Sequence, residues 1–299
     1  MINISPRQLD VFVQIALRGS VRAAAEQLHL TQPAASMALA EMERQLDAPL
    51  FARERGRLRL NPRGRELLPL AQELLERHAE FGRRGSAEGA SLSGELRIGA
   101  SNTVGNYRVD ELLGHFVRAH PQVAIRLRVA NTEAIAAGML DHRLDVGCVE
   151  GPVTHPLLEA RPWRDDLLAV CAAPEHPLSR KRGLKPADFA GARWVLREPG
   201  SATRAISERV LSQLPPGETV LELDQIEAIK QVVVAGLGIA CLPAVAVTDA
   251  LATGRLKALK TPFLDLRRKL FLLLHREKYR GALLDAFLRD TDGGDTRNV

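Results

Sequence analysis

The stretch SVRAAAEQLHLTQPAASMALAEMERQL, residues 20–46, carries two helix starts in quick succession. Ser20 directly follows Gly19, and Thr31 stands two positions before Pro33. A capping hydroxyl and an early proline both suit the first turn of a helix, where N–H groups have no intrahelical partner. Helices therefore begin near 21 and 32, joined by a tight corner at His29 and Leu30. In the second helix Ala35, Leu39, Met42 and Leu46 recur at helical spacing and face a core, whereas Gln32, Pro33, Ser36, Met37 and Ala40 fall on another arc free of bulky charge. Such an arc fits a DNA major groove. Taken alone, the same pattern describes the solvated face of any small helical bundle, and the flanking residues decide between the two.

Upstream, PRQLDVFVQIALR places Leu9, Phe12, Val13 and Ala16 on one helical face, begins with Pro6 and stops at Gly19, which makes it a supporting helix. Downstream, DAPLFARERGRLRLNP alternates apolar and basic residues around Gly56, as a short β-hairpin wing does. Between residues 53 and 65, six arginines stand against Glu54, and the resulting +5 equals the formal net charge of the whole chain. A basic run beside a candidate reading helix is what phosphate binding requires, so Arg53, Arg55 and Arg57 are assigned to DNA together with Thr31, Gln32, Pro33 and Ser36. Asn61 and Pro62 then open a long amphipathic helix reaching about residue 84. Its residues Leu67, Leu70, Leu74 and Phe81 follow a heptad-like seam beside Leu68, Ala71 and Leu75. Two adjacent stripes serve two partners, so Leu67, Leu70 and Leu74 are expected to join two chains. GSAEGASLSG, residues 85–94, is small and polar and reads as a hinge.

The 299 residues are 45% hydrophobic and 26% charged, an ordinary globular composition with room for two or three domains. MINISPRQLDVF has no basic run followed by an apolar one, so no secretory signal is expected. The most apolar stretch, residues 232–247, is interrupted by Gly236, Gly238 and Pro243 and is short for a membrane span. Cys148, Cys171 and Cys241 are far apart and odd in number, which suggests buried thiols and neither a disulfide framework nor a metal site.

From Glu95 the pattern changes to strands alternating with helices. LRIGA, AIRLRVA, DVGCV, LLAVCAA, RWVLR, TVLEL, GIACL and KLFLLLH are the candidate strands, and the alternation argues for an α/β architecture with mainly parallel sheets. Three loops carry hydroxyls or amides just ahead of helices: Ser101 to Thr103, Asn131 with Thr132, and Ser201 to Thr203. Each hydroxyl alone reads as a helix cap. Together, in loops where an α/β sheet keeps its ligand crevice, Ser101, Thr103, Asn131, Thr132 and Thr203 form a candidate anion site, with Glu150 and Arg204 as its charges and Arg197 and Glu227 as weaker candidates. Catalytic motifs are absent: there is no G-x-S-x-G, no H-E-x-x-H and no His/Cys cluster at metal spacing. The G-L-G-I-A-C run at 236–241 reads as a helix-ending turn, not a dinucleotide loop.

The first 66 residues, in particular SVRAAAEQLHLTQPAAS, LAEMERQLDAPLFAR and RLRLNPRG, resemble LysR-type transcriptional regulators, and the resemblance extends through the whole chain. It implies an N-terminal all-α winged helix-turn-helix domain (1–61), a linker and dimerisation helix with its hinge (62–93), and a C-terminal α/β effector-binding domain (94–299) resembling type 2 periplasmic binding proteins. Lobe I would comprise about 94–162 and 267–299, and lobe II about 163–266. ASNTVGNY, DVGCVEGP, REPGSATR and EAIKQVVVAGLGIACLP look most like the members that respond to small sulfur oxyanions. Many members carry an arginine directly after the residue at Ser36, and Met37 removes that donor.

The expectation is a cytoplasmic regulator, not an enzyme, that binds double-stranded promoter DNA as a homodimer or homotetramer and has no cofactor. A small-molecule effector, with sulfite or sulfate as candidates, would bind between the lobes, and the resemblance also allows contact with RNA polymerase. The rivals are a cytosolic solute-binding protein and an enzyme using the same two-lobed cleft. The first leaves the arginine wing unexplained.

Overall fold

A computed structural model describes residues 3–54, 57–85, 91–151 and 153–293. Its N-terminal head is built from α1 (Pro6–Arg18), α2 (Val21–Gln27), α3 (Gln32–Gln45), a hairpin of β1 (Phe51–Glu54) and β2 (Arg57–Leu60), and α4 (Pro62–Gly85). The starts of α1, α2 and α3 are fixed by Ser5, Ser20 and Thr31, whose side chains accept the N–H of Gln8, Ala23 and Ala34. The corner between α2 and α3 turns on His29, which adopts a left-handed φ of 53°. Leu9, Phe12, Val13, Met42, Leu50, Leu68 and Ala71 form the core that joins the head to the first half of α4. A second cluster of Val11, Ile15, Ala24, Ala25, Ala35 and Leu39 holds the three short helices together. Small alanines let these helices approach closely.

Helix α4 begins where the Asn61 carboxamide accepts the N–H of Gly64 and donates to the Pro49 carbonyl, which ties helix start to wing. A methyl at Gly64 would overlap the Leu50 carbonyl oxygen, so glycine is required at this contact. The helix runs through Pro69. Proline has no N–H, so the Arg65 carbonyl lacks its ordinary helical donor and local bending is easy there.

The second half is an α/β domain of two lobes. Lobe I contains β3 (Gly94–Ser101), α5 (Asn102–Tyr107), α6 (Val109–Ala119), β4 (Val123–Ala130), α7 (Thr132–Leu140) and β5 (Val146–Glu150). The chain leaves it along β6 (Leu158–Ala172) and builds lobe II from α8 (Pro177–Arg180), β7 (Arg193–Arg197), α9 (Ala202–Leu211), β8 (Glu218–Leu223), α10 (Ile226–Val234), β9 (Ala240–Pro243), α11 (Ala244–Ala252) and β10 (Lys257–Ala258). It returns along β11 (Arg267–His275) and ends in α12 (Ala282–Gly293). The strand order is β10-β6-β11-β5-β3-β4, with β9 also on β6 and a separate β7-β8 pair whose Trp194 bridges to Ile239, the residue before β9.

The expectation of mainly parallel sheets needs correction. β4, β3 and β5 are parallel, as are β7 and β8, but every pairing made by β6 or β11 is antiparallel. One strand carries the chain out of lobe I and the other brings it back, so their directions must oppose. β6 also begins well before LLAVCAA. Its first part, LEARPWRDD, alternates with charged residues and contains Pro162, which obscures a strand in sequence.

The linker helix is docked on lobe I. Gln72 Nε2 donates to the His142 carbonyl at 3.2 Å, Tyr279 donates to Glu80 at 2.9 Å, and the Arg77 guanidinium lies 4.3 Å from the Tyr279 ring centre. Beneath this contact the buried Asp145 binds Arg97 at 2.6 Å and also pairs with Lys278. The His142 ring packs on His275 at 4.3 Å.

Burial, with the positive neighbours His275, Lys278 and Arg97, pushes His142 down to about 4. A histidine kept neutral in the fold binds fewer protons than it does unfolded. Its contribution to stability is therefore complete above about pH 6.5 and is lost as pH falls towards about 4. His142→Asn, which tolerates the left-handed backbone at this position, should flatten that loss. Thermal melts between pH 7 and 4 check it: the melting temperature of the variant should fall less than that of the parent.

Candidate functional site

Two groups of candidate residues sit on different parts of the molecule. On the head, Gln32, Pro33 and Ser36 are exposed at the start of α3, and Met37 is 72% exposed beside them. The Thr31 hydroxyl accepts the Ala34 N–H at 3.3 Å, so its first role is the cap of α3. Arg53 is exposed on β1, and Arg57 lies on β2 in register with Glu54. Arg55 lies outside the described residues. A recess of about 1120 Å³ between the head and lobe I is lined by Arg18, Arg22, Arg53, Arg59, Arg65 and Arg143, with Gln32 at its edge and Asp141 as the opposing carboxylate. Positive charge thus surrounds the first turn of α3.

Along α4, Leu68 and Ala71 are buried in the head, while Leu70 and Leu74 are 52% and 54% exposed and Phe81 is 81% exposed. Leu67 is half-buried and packs against the head's own core. It therefore stands between the two stripes, and the exposed seam is formed by Leu70, Leu74 and Phe81.

Between the lobes, the predicted loops divide by their position in the helix. Ser101, Asn131 and Ser201 cap α5, α7 and α9, accepting the N–H of Val104, Ala134 and Arg204. The threonines that follow are engaged differently. Thr103 and Thr203 each stand two residues after a serine cap, one in each lobe, and both hydroxyls accept from one guanidinium, that of Arg268, at 3.1 and 2.9 Å. Thr132 donates to Glu150 at 3.4 Å.

Arg268 also donates through Nε to Asp166 at 2.6 Å, and Arg108 reaches the same carboxylate at 3.2 Å. Glu150 lies 3.8 Å from the Arg268 terminal nitrogen. Burial opposes ionisation of Glu150, yet Arg268 and the Thr103 and Ser101 hydroxyls hold its carboxyl below the usual range. A cavity of about 700 Å³ meets the cluster from the side of Arg108, Asp166, Arg268, Ala244 and Val245. The lobes also touch where the Asn131 carboxamide donates to the Pro199 carbonyl at 3.4 Å and where Tyr107 donates to Glu227 at 2.8 Å.

Arg204 requires correction as the charge balancing Glu150. Its guanidinium is held by Glu208, Glu222 and the Arg197 carbonyl, at 2.6, 2.7 and 2.6 Å, all within lobe II. From the third position of α9 its side chain runs along the helix to the residue four places on. Arg197 forms a paired contact with Glu198 at 2.7 and 2.8 Å, so it too is engaged in its own lobe. Arg268, Asp166 and Arg108 were not among the sequence candidates. One signal for Arg268 was legible: in β11 the residues 268, 270, 272 and 274 alternate onto one face, and all four are buried. The three cysteines are buried thiols, and burial pushes Cys171 and Cys241 up to about 12.

A winged helix-turn-helix head joined by one long helix to a two-lobed α/β domain defines a DNA-binding regulator controlled by a small molecule. Residues 6–65 match the bacterial regulatory helix-turn-helix protein of the lysR family, and residues 89–290 match the LysR substrate binding domain. The chain belongs to the LysR family of transcriptional regulators, which are not enzymes. It is 38% identical to the uncharacterized HTH-type transcriptional regulator YeiE of Escherichia coli K12, over 100% of this chain and 99% of that one. Full-length OxyR of Pseudomonas aeruginosa has the same fold, with a TM-score of 0.77 at 23% identity over 98% of this chain and 95% of its own. The regulatory domain of Synechocystis CcmR, solved with 2-PG, has a TM-score of 0.62 at 27% identity and covers 69% of this chain and 99% of its own. Among the described residues no helix is long and apolar enough to cross a membrane.

Proposed function

We propose that this chain is a cytoplasmic, homo-oligomeric regulator that reads promoter DNA through α3 and the wing and is controlled by a small oxyanion, sulfite or sulfate, bound between its lobes. The observation that carries the effector reading is the convergence of Thr103 from lobe I and Thr203 from lobe II on one buried guanidinium. Hydroxyls can donate to an anion as readily as they accept from an arginine, so the arrangement suits a ligand with several acceptor oxygens. A ligand that contacts both lobes stabilises one relative placement of them, and its differential affinity for two placements is the coupling to DNA. Calorimetric titration of the full chain with sulfite, sulfate, phosphate and a neutral compound of similar size tests this. Saturable heat with an anion is expected, and binding of the neutral compound alone would end the oxyanion reading.

On the head, Gln32 and Ser36 lie one turn apart on the open face of α3 and are assigned to base edges, with Pro33 and Met37 beside thymine methyls. Gln32→Ala should cost about 1–3 kcal/mol on specific DNA and little on unrelated DNA. Arg53→Ala should weaken both and flatten the dependence of log affinity on log salt by about one. Parent-like behaviour in gel-shift titrations at several salt concentrations would move either residue off the DNA.

The exposed seam of Leu70, Leu74 and Phe81 is assigned to a second copy of α4, which would place two heads roughly 34 Å, or a multiple of it, apart on one DNA face. Leu70→Glu combined with Leu74→Glu should halve the mass measured by light scattering while leaving helix content unchanged. An unchanged mass would assign the dimer to another surface.

A further inference from the structure

Several contacts between the lobes meet on Arg268, which enters the cleft from the second residue of β11. Its side chain and that of Glu150 are each 3% exposed and that of Asp166 is 1% exposed, so water screens these charges little. The three nitrogens have distinct tasks. Nε is fixed by Asp166, itself steadied by Arg108, whereas Nη1 and Nη2 are bound to the neutral hydroxyls of Thr203 and Thr103. A guanidinium that meets an ionised oxygen adds the attraction of opposite charges to the hydrogen bond, which a neutral hydroxyl supplies only as a dipole. The two terminal nitrogens are therefore paired below their capacity. The nearest carboxylate on that side, Glu150, stops 3.8 Å short of Nη2 and is held back by Thr132 and Thr103.

We infer that Arg268 is the counter-charge of the anionic effector and that Glu150 competes with the effector for it. This rests on the reading of the cleft as the effector site. An oxyanion between Thr103 and Thr203 would take Nη1 and Nη2 from the hydroxyls, and the freed hydroxyls would turn to donate to it. Asp166 keeps the guanidinium plane in place throughout, so the site is pre-organised for a bidentate contact. Glu150 sets a threshold: its negative charge lowers affinity for every anion, and only ligands whose bonds to both lobes offset that repulsion bind. Because the same guanidinium is the bridge between the threonines of the two lobes, capture by the effector also replaces the bridge with one made through the ligand.

Two variants of the full-length protein with opposite expected signs test this, using sulfite and inorganic phosphate as probes in calorimetry at fixed pH and ionic strength. Arg268→Lys keeps the charge beside Asp166 but cannot reach both lobes, and should weaken anion binding by about tenfold or more. Glu150→Gln removes the competitor and should tighten it by about tenfold. Damage to the fold cannot produce tighter binding, so the second variant separates a specific role from a structural one. If the parent binds an anion and Arg268→Lys binds it equally well, Arg268 is not the counter-charge, while the oxyanion reading stands. If Glu150→Gln binds more weakly than the parent, Glu150 is a contact of the ligand and the competition is refuted. If neither probe gives saturable heat with the parent, the oxyanion reading fails and this inference fails with it.

Discussion

Two strands cross between the lobes, and the backbone hydrogen bonds they must satisfy constrain everything built on them. β6 pairs with β11 through residues 158–167 and with β9 and β10 through residues 168–172, so a single strand belongs to both lobes. Buried N–H and C=O groups tolerate few lost partners, which leaves little freedom for the lobes to separate and channels relative motion into rotation near residues 163–168. At that crossing the ladder slips by one residue between Leu270 and Phe271, opposite Arg164 and Pro162. The buried Arg268–Asp166 pair spans the two strands a few residues away. A buried ion pair is weak evidence for stability, since desolvation offsets much of the attraction. Its value here is positional: it holds a charged fork at the meeting point of the two lobes.

Much of the head was legible because its signals are local. Ser20, Thr31 and Asn61 announce helix starts, and the apolar spacing finds Leu9, Phe12 and Val13 of α1 and Ala35, Leu39 and Met42 of α3, while the buried Val11 and Ile15 lie on a second face of α1 that the spacing did not single out. All eight candidate strands of the effector half exist, since apolar runs bounded by turn residues need no knowledge of pairing partners. Direction and partnership were not legible, being properties of contacts distant in sequence. The candidate site shows the same division. Ser101, Asn131 and Ser201 could be read as caps from their positions alone, and they are caps. That Thr103 and Thr203 would share a partner depends on β11, more than sixty residues beyond the second of them. Arg268 sits in a run of three basic residues, Arg267 to Lys269, which resembles a solvated strand entry until its parity with Leu270 and Leu272 is considered.

The two halves of the chain divide their electrostatics unequally. The excess positive charge lies in the wing and the start of α4, whereas the charged groups of the effector half are largely paired within it, at Arg97–Asp145, Arg268–Asp166 and Arg204–Glu222. Long-range attraction for a polyanion therefore originates in the head, and the effector half interacts through short-range, shape-dependent contacts.

The docking of α4 on lobe I has a mechanical consequence. Leu68 and Ala71 fix the helix to the head, and Gln72, the next residue, together with Glu80 fixes it to the effector domain, so the two halves of the protein share one rod of 24 residues. At 1.5 Å per residue the stretch from Glu80 back to Pro62 is about 27 Å long, and a tilt of about 10° at lobe I would carry its far end roughly 5 Å. Successive base pairs are separated by about 3.4 Å, so such a tilt would shift the head by more than one step along a duplex. Pro69 lies between Leu68 and Ala71, within the segment held by the head and ahead of both contacts with lobe I. The helix from Gln72 to Glu80 carries no proline, so the part docked on lobe I moves with that lobe as one piece and passes its motion to the head through Ala71 and Leu68.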